Sequence, residues 1–274
     1  MKPLEPVYVV DLFEPMLNRL LELLRQLSEE EWYLATPCEG WTVKDVALHL
    51  LGDDVGQLSR GRDKDTSYTL PAGIDFVSRI NAQNAFWVEA TRRISPRLLC
   101  DLLDFSGREV VRYFKTLSLT EMNGPVSWAG SDPAPVWFDV AREYTERWHH
   151  QQHIREAVQR PGLTEAAFLT PVLDTFVRAL PYSFRLVDAQ DNTVVELMVK
   201  GDVKKSWYLL RQEARWSLFA ETSLAPTASV VLEPETAWRL FTKGMSKEEA
   251  MSRADIQGDK ALAMNVFDAV AIIA

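Results

Sequence analysis

Apolar residues recur at three- and four-residue steps from Val9 to about Ser28, at Leu12, Met16, Leu20, Leu23, Leu24 and Leu27, and this predicts an amphipathic helix. Pro15 marks its start or a kink. The run Thr36-Pro37-Cys38-Glu39-Gly40-Trp41 breaks the pattern, and Thr42 with Asp45 reads as a capping box opening a second helix from Val43 to about Ser59. Helical spacing returns from Ile74 to Arg92, from Pro96 to Leu117, and from Trp137 to Val158, where Arg160-Pro161-Gly162 stops it. Between the last two, Glu121 to Pro135 holds three prolines and two glycines and reads as a long loop.

Beyond Pro161 the period changes. Leu173–Leu180 suits one more helix. Ser183–Val187, Thr193–Val199, Trp207–Leu210, Trp216–Phe219 and Ala228–Leu232 read as strands, and helical spacing resumes over Glu235–Thr242, Ser246–Arg253 and Lys260–Ile273. The pattern predicts an α plus α+β protein: an up-and-down four-helix bundle over residues 1–162, then a small sheet-and-helix domain over 163–274. A length of 274 residues suits two domains.

All four histidines lie in two of the predicted helices. At about 100° per residue, Glu146, His149, His150 and His153 share roughly a quarter of one helix surface. Imidazole and carboxylate together suit a zinc-class divalent ion, and ligands one turn apart can reach the same ion. His49, the one imidazole outside that helix, supplies a ligand from a facing helix. The opposing reading of each histidine is a hydrogen-bonded interior residue. Trp41 and Trp128 are candidates to wall a pocket beside the metal, with core packing the alternative for each. Cys38 reads as a packing residue before a turn, and Asp53 and Asp54 as a solvated helix surface.

The rest of the composition narrows the function. The sequence is 47% hydrophobic and 25% charged, with a formal net charge of -9 and a pI near 5.1, and no basic stripe offers a footprint for nucleic acid. Two cysteines, Cys38 and Cys100, make neither a zinc ribbon nor a disulfide framework. No long apolar run or secretory start is present, so a cytoplasmic chain outside the membrane is expected, as a monomer or small homo-oligomer.

The segment Leu27-Ser28-Glu29-Glu30-Glu31-Trp32, followed by Thr36-Pro37-Cys38-Glu39-Gly40-Trp41-Thr42-Val43-Lys44-Asp45-Val46-Ala47-Leu48-His49-Leu50, resembles the N-terminal signature of the mycothiol-dependent maleylpyruvate isomerase family, within the DinB-like metalloproteins. Glu146 to Ala157 resembles that family's last bundle helix. Glu235–Thr242, Glu249-Ala250 and Ile256–Ala263 are similar to its sterol-carrier-like second domain. The resemblance implies a DinB-like bundle whose metal, zinc or nickel, is held by His49, Glu146 and His150. Two departures stand out: His153 occupies a position where the family usually has aspartate, and His149 with His153 forms a rival pair. His153 then suits a role orienting a ligand by hydrogen bond. The resemblance further implies a low-molecular-weight thiol such as mycothiol, a small electrophilic substrate, and a basic residue of the second domain, Lys243 or Arg239, near that substrate. The reading is a metal- and thiol-dependent isomerase or thiol transferase; the alternative is a non-catalytic protein that binds metal or a small apolar ligand.

Overall fold

A computed structural model describes residues 1–67 and 75–272. They fall into two compact units, Tyr8–Leu119 with Glu143–Leu163, and Met1–Val7 with Thr120–Arg142 and Thr164–Ile273. Among the described residues no helix is long and apolar enough to cross a membrane.

The first unit is helical. A 3₁₀ turn at Val10–Leu12 leads into α1 (Phe13–Arg25), so Pro15 falls in the first turn, where a missing N–H costs no intrahelical bond. The central helix is α2 (Val43–Gly56), buried along most of its length and prolonged by a π-helical stretch, Gln57–Arg62. Its start is the predicted capping box. The Thr42 hydroxyl accepts from Asp45 N at 3.3 Å, and Asp45 Oδ2 accepts from Thr42 N at 3.0 Å. Aspartate serves in place of glutamate here because Arg92 also holds the carboxylate, Nε to Oδ1 at 2.8 Å.

The remaining helices are α3 (Phe76–Thr91), α4 (Pro96–Phe114) and, from Glu143 onward, α5 (Val136–Ala157), whose start up to Arg142 is counted with the second unit. The predicted start of α3 at Ile74 lies outside the described residues. Leu20, Leu24, Val46, Leu50, Val88, Leu99, Leu103 and Ile154, drawn from all five helices, share one apolar core. Its burial removes apolar surface from water at about 25 cal/mol per Å². Two of the polar side chains buried in this unit are paired: Gln152 Nε2 and Trp148 Nε1 both donate to Leu163 O, and Gln152 Oε1 accepts from Leu163 N at 3.0 Å.

The second unit is built on a six-stranded sheet. Its strands are β1 (Lys2–Pro3), β4 (Val194–Val199), β5 (Lys205–Gln212), β6 (Arg215–Glu221), β7 (Ala228–Leu232) and β8 (Asp255–Gly258), in spatial order β1-β6-β5-β4-β7-β8. Among the described residues only β4 and β7 pair in parallel. Register puts Val195, Leu197 and Val199 beside Leu209, Trp207, Ala228, Val230 and Leu232, all buried, while Glu196 and Met198 take the half-buried face. The long loop carries a short pair of its own, β2 (Met122–Asn123) with β3 (Ala134–Pro135). The helices are α6 (Ala166–Phe176), α7 (Leu180–Ser183), α8 (Pro234–Phe241), α9 (Lys247–Ser252) and α10 (Lys260–Ala263).

Two expectations fail here. Ser183–Val187 is no strand: Phe184 N returns to Leu180 O at 3.0 Å and Val187 N to Phe184 O at 2.8 Å, so local bonds take the donors a ladder would need. The last helix stops at Ala263 and tightens to 3₁₀ over Met264–Asp268, after which Ala271 N bonds Phe241 O. Its predicted end, Ile273, lies outside the described residues.

Strand β8 ends on Gly258, at φ 76°, where a Cβ would lie 2.3 Å from Thr227 O. Gly258→Ala should therefore lower the unfolding free energy by at least ~2 kcal/mol, the left-handed penalty of ~1–2 kcal/mol plus a backbone collision. Gly124→Ala, with open space around its Cβ, is the control. Urea midpoints that move equally in both variants would contradict this.

Candidate metal centre

Three elements of the helical unit meet at the site. The loop before α2 makes a tight turn, with Trp41 N bonded to Cys38 O at 3.0 Å and Gly40 at φ 77° supplying the left-handed residue such a turn needs. The Thr36 hydroxyl donates to Trp41 O at 2.9 Å and accepts from Cys38 N at 3.2 Å. This pins Cys38 and Trp41 beside the helices that follow. His49 comes from the middle of α2, and Glu146, His149, His150 and His153 come from α5.

Of the residues the sequence nominates as ligands, His49, Glu146 and His150 converge. His49 Nε2 lies 3.2 Å from Glu146 Oε1, and His150 Nε2 lies 2.9 Å from the same oxygen. One ligand atom from each of the three residues lies within 4.8 Å of the others. A tetrahedral ion with bonds of ~2.0–2.1 Å separates its ligand atoms by about 3.3 Å, so small rotations would seat one. His149 does not join that group; its ring packs against His153 at a centroid distance of 4.0 Å. His153 turns instead to Cys38, its Nδ1 2.9 Å from Sγ.

The charges fit a cation. Burial alone would raise the Glu146 carboxyl, but the charges of His150 and His49 and their hydrogen bonds outweigh it and hold the group well below the usual carboxylate range. Burial alone would likewise keep His150 neutral, yet the Glu146 charge and the Cys38 contact push it well above the ordinary imidazole value. Asp53 is pushed up to about 6, by burial first and then by Glu146 and Glu143, against the pull of His49 and Arg147. Asp53 Oδ2 makes no hydrogen bond and stands 3.4 Å from His49 Nε2. Asp53, Asp54, Glu143 and Glu146 crowd the site, facing Arg147 and the imidazole charges; once the imidazoles give up their protons to act as ligands, a surplus of negative charge is left that a divalent ion would balance.

Two readings of the sequence are corrected here. Asp53 and Asp54 do not form a solvated surface: Asp54 is buried, bonded to Ser106 Oγ at 2.7 Å and to Arg147 Nη2 at 2.9 Å. Cys38 is not plain packing, since its sulfur contacts His153 and, at 3.7 Å, His150 Nδ1. A signal for Asp53 was present in its spacing, one turn after His49 on the same helix face. None existed for Cys38, which reaches the histidines only through the fold.

Trp41 borders the donors, its ring 5.1 Å from that of His49. Trp128 belongs to the sheet unit, buried edge-on against Phe138 at 5.4 Å. In that unit Arg239 pairs with Glu235 at 2.6 Å and lies over the Trp238 ring at 4.4 Å, and Lys243, just past the Thr242 cap of α8, is exposed and in the left-handed conformation at φ 57°.

Residues 13–155 match the family described as Mycothiol maleylpyruvate isomerase N-terminal domain. The chain is similar to the crystal structure of the mycothiol-dependent maleylpyruvate isomerase at 13% identity and a TM-score of 0.49, over 84% of this chain and 86% of that one. A mutant of that enzyme gives 12% identity and a TM-score of 0.48 over the same shares. A ubiquinone synthesis protein, UbiJ-SCP2, gives 20% identity and a TM-score of 0.25 over 38% of this chain and 92% of that one. No curated protein matches the chain.

Proposed function

Because the chain belongs to the mycothiol maleylpyruvate isomerase N-terminal domain family, we propose that it is a divalent-metal-dependent enzyme that uses a small thiol on a small electrophilic substrate, as an isomerase or as a thiol transferase. The observation that carries this reading is the convergence of His49 Nε2 and His150 Nε2 on Glu146 Oε1, with one ligand atom from each residue within 4.8 Å of the others. Three protein ligands of this kind leave a coordination position for an exogenous group, the arrangement of catalytic zinc sites. Zinc or nickel is the proposed ion and mycothiol the proposed thiol.

When bound, the ion supplies Lewis acidity that favours the thiolate of an incoming thiol at neutral pH. The chain's own residues prepare that position. His49 and His150 present nitrogens on either side of the Glu146 oxygen, and Asp53 adds a second carboxylate beside them. The Trp41 indole forms an apolar wall next to His49, which suits the hydrocarbon part of a substrate. Isomerisation of maleylpyruvate would form a carbon–sulfur bond at the activated double bond, allow rotation about the resulting single bond and expel the thiol unchanged. Transfer would stop after the first bond, the double bond's π pair taking up the proton that the thiol gave up.

The test is turnover of maleylpyruvate by protein loaded with zinc or nickel, with mycothiol present or omitted. Conversion that needs both metal and thiol supports the enzyme. A fully loaded protein with no thiol-dependent conversion of maleylpyruvate or related unsaturated acids would overturn it and leave a non-catalytic metal-binding protein.

A further inference from the structure

His150 presents two different edges to its surroundings. Its Nε2 faces Glu146 at 2.9 Å, and its Nδ1 faces Cys38 Sγ at 3.7 Å. On that second edge a separate set of donors gathers: Cys38 Sγ lies 3.7 Å from His150 Nδ1 and 2.9 Å from His153 Nδ1, and one ligand atom from each of the three residues lies within 4.8 Å of the others. In a tetrahedral zinc site, with Zn–S near 2.3 Å and Zn–N near 2.0–2.1 Å, sulfur and nitrogen stand about 3.5 Å apart. The observed separations of 2.9 and 3.7 Å bracket that value. Both histidines are held on one face of α5, and the cysteine is fixed by the turn that Thr36 and Gly40 hold together. The sulfur is half-buried and the histidine rings are largely buried, so an ion there would exchange much of its water for protein.

We propose that Cys38, His150 and His153 form a second metal site, for a borderline-soft divalent ion of the zinc class, placed against the first and joined to it through the His150 ring. A thiolate and two imidazoles suit zinc or cobalt and discriminate against magnesium and calcium, which prefer oxygen. Loading this site releases the Cys38 thiol proton and the Nδ1 proton of His150 to solvent, and His150 then bridges the two ions as an imidazolate. The second ion draws on the ring already bound to the first, so each site bears on the affinity of the other.

The test is titration of metal-stripped protein with cobalt(II), followed by absorbance and by metal content after desalting. The unaltered protein should take two ions per chain, with a near-ultraviolet thiolate-to-cobalt charge-transfer band on loading the second site. Cys38→Ser, a change of one atom, should take one ion and lose the band. His49→Ala should keep the band. One ion per chain without a thiolate band, or two in Cys38→Ser, would overturn the second site and leave the first standing. A single ion whose band survives in His49→Ala would instead overturn the first site and uphold the second. A protein that binds no cobalt overturns both.

Discussion

His49→Ala, and separately Glu146→Ala/His150→Ala, should emerge from purification without the zinc or nickel carried at the first site, and thiol-dependent turnover should fall to background. Loss of a partner that merely orients a ligand costs roughly 10–100-fold in affinity. Removal of a donor atom itself should exceed that, because the remaining two cannot enclose the ion. Far-ultraviolet circular dichroism should be unchanged for His49→Ala, since Val46 and Leu50, which flank it on α2, keep the apolar core. A His49→Ala or Glu146→Ala/His150→Ala variant that carries as much metal per chain as the unaltered protein would sink the assignment of His49, Glu146 and His150.

The same site predicts a pH dependence with a definite sign. A ligand nitrogen must be free of its proton, and in the metal-free protein His150 holds its proton well above the ordinary value of 6.5. Metal affinity should therefore fall as pH falls, by about tenfold per unit where one proton is displaced. For the metal-free protein the His150 contribution to stability is complete below about pH 6.5 and disappears as pH rises through the raised value. Glu146, held well below 4.5, contributes above that pH and loses its share as pH falls through its own depressed value. Metal binding titrated calorimetrically in buffers of different ionisation enthalpy would read the released proton directly. Binding that strengthens toward acid would contradict the scheme.

The helices that carry this site were legible because their signals are local. Thr42 with Asp45 announces the start of α2, Pro161-Gly162 follows the end of α5, and the spacing of Glu146 and His150 fixes both on one face whatever surrounds them. The choice between the Glu146/His150 and His149/His153 pairs was not local. It depends on which face of α5 meets His49, and here the facing atoms are those of Glu146 and His150. Asp54 and Cys38 were misread for a related reason: the partners that bury them, Ser106 with Arg147 and His153, are far away in sequence. Ser183–Val187 failed differently. Its apolar alternation suits a strand, but Leu186 is exposed and turn hydrogen bonds close the segment on itself.

Arg147→Met should destabilise the helical unit by about 3–5 kcal/mol, the cost of stripping a buried ion network of its counter-charge. The guanidinium donates to Asp54 at 2.9 Å and Glu143 at 2.6 Å, and its side chain is only 12% exposed. Methionine keeps most of the volume, including part of the contact where the guanidinium lies over the Phe13 ring, so the loss is electrostatic rather than a cavity. Burial already raises the Asp54 carboxyl above its usual value, with Arg147 as the chief opposing charge. Without Arg147 the Asp54 carboxyl rises further. A carboxyl whose folded value is raised destabilises the fold above that value, and the penalty fades as pH falls toward the unfolded value. The deficit of Arg147→Met should therefore be largest near pH 7 and shrink toward pH 4. The triple variant Arg147→Met/Asp54→Asn/Glu143→Gln should recover much of it, because neutral partners carry no charge to desolvate. Urea unfolding of the three proteins at both pH values checks this. A loss below about 1 kcal/mol at pH 7, or one that grows in acid, would mean that water screens the network and that Arg147 does not offset the negative charge around the metal site.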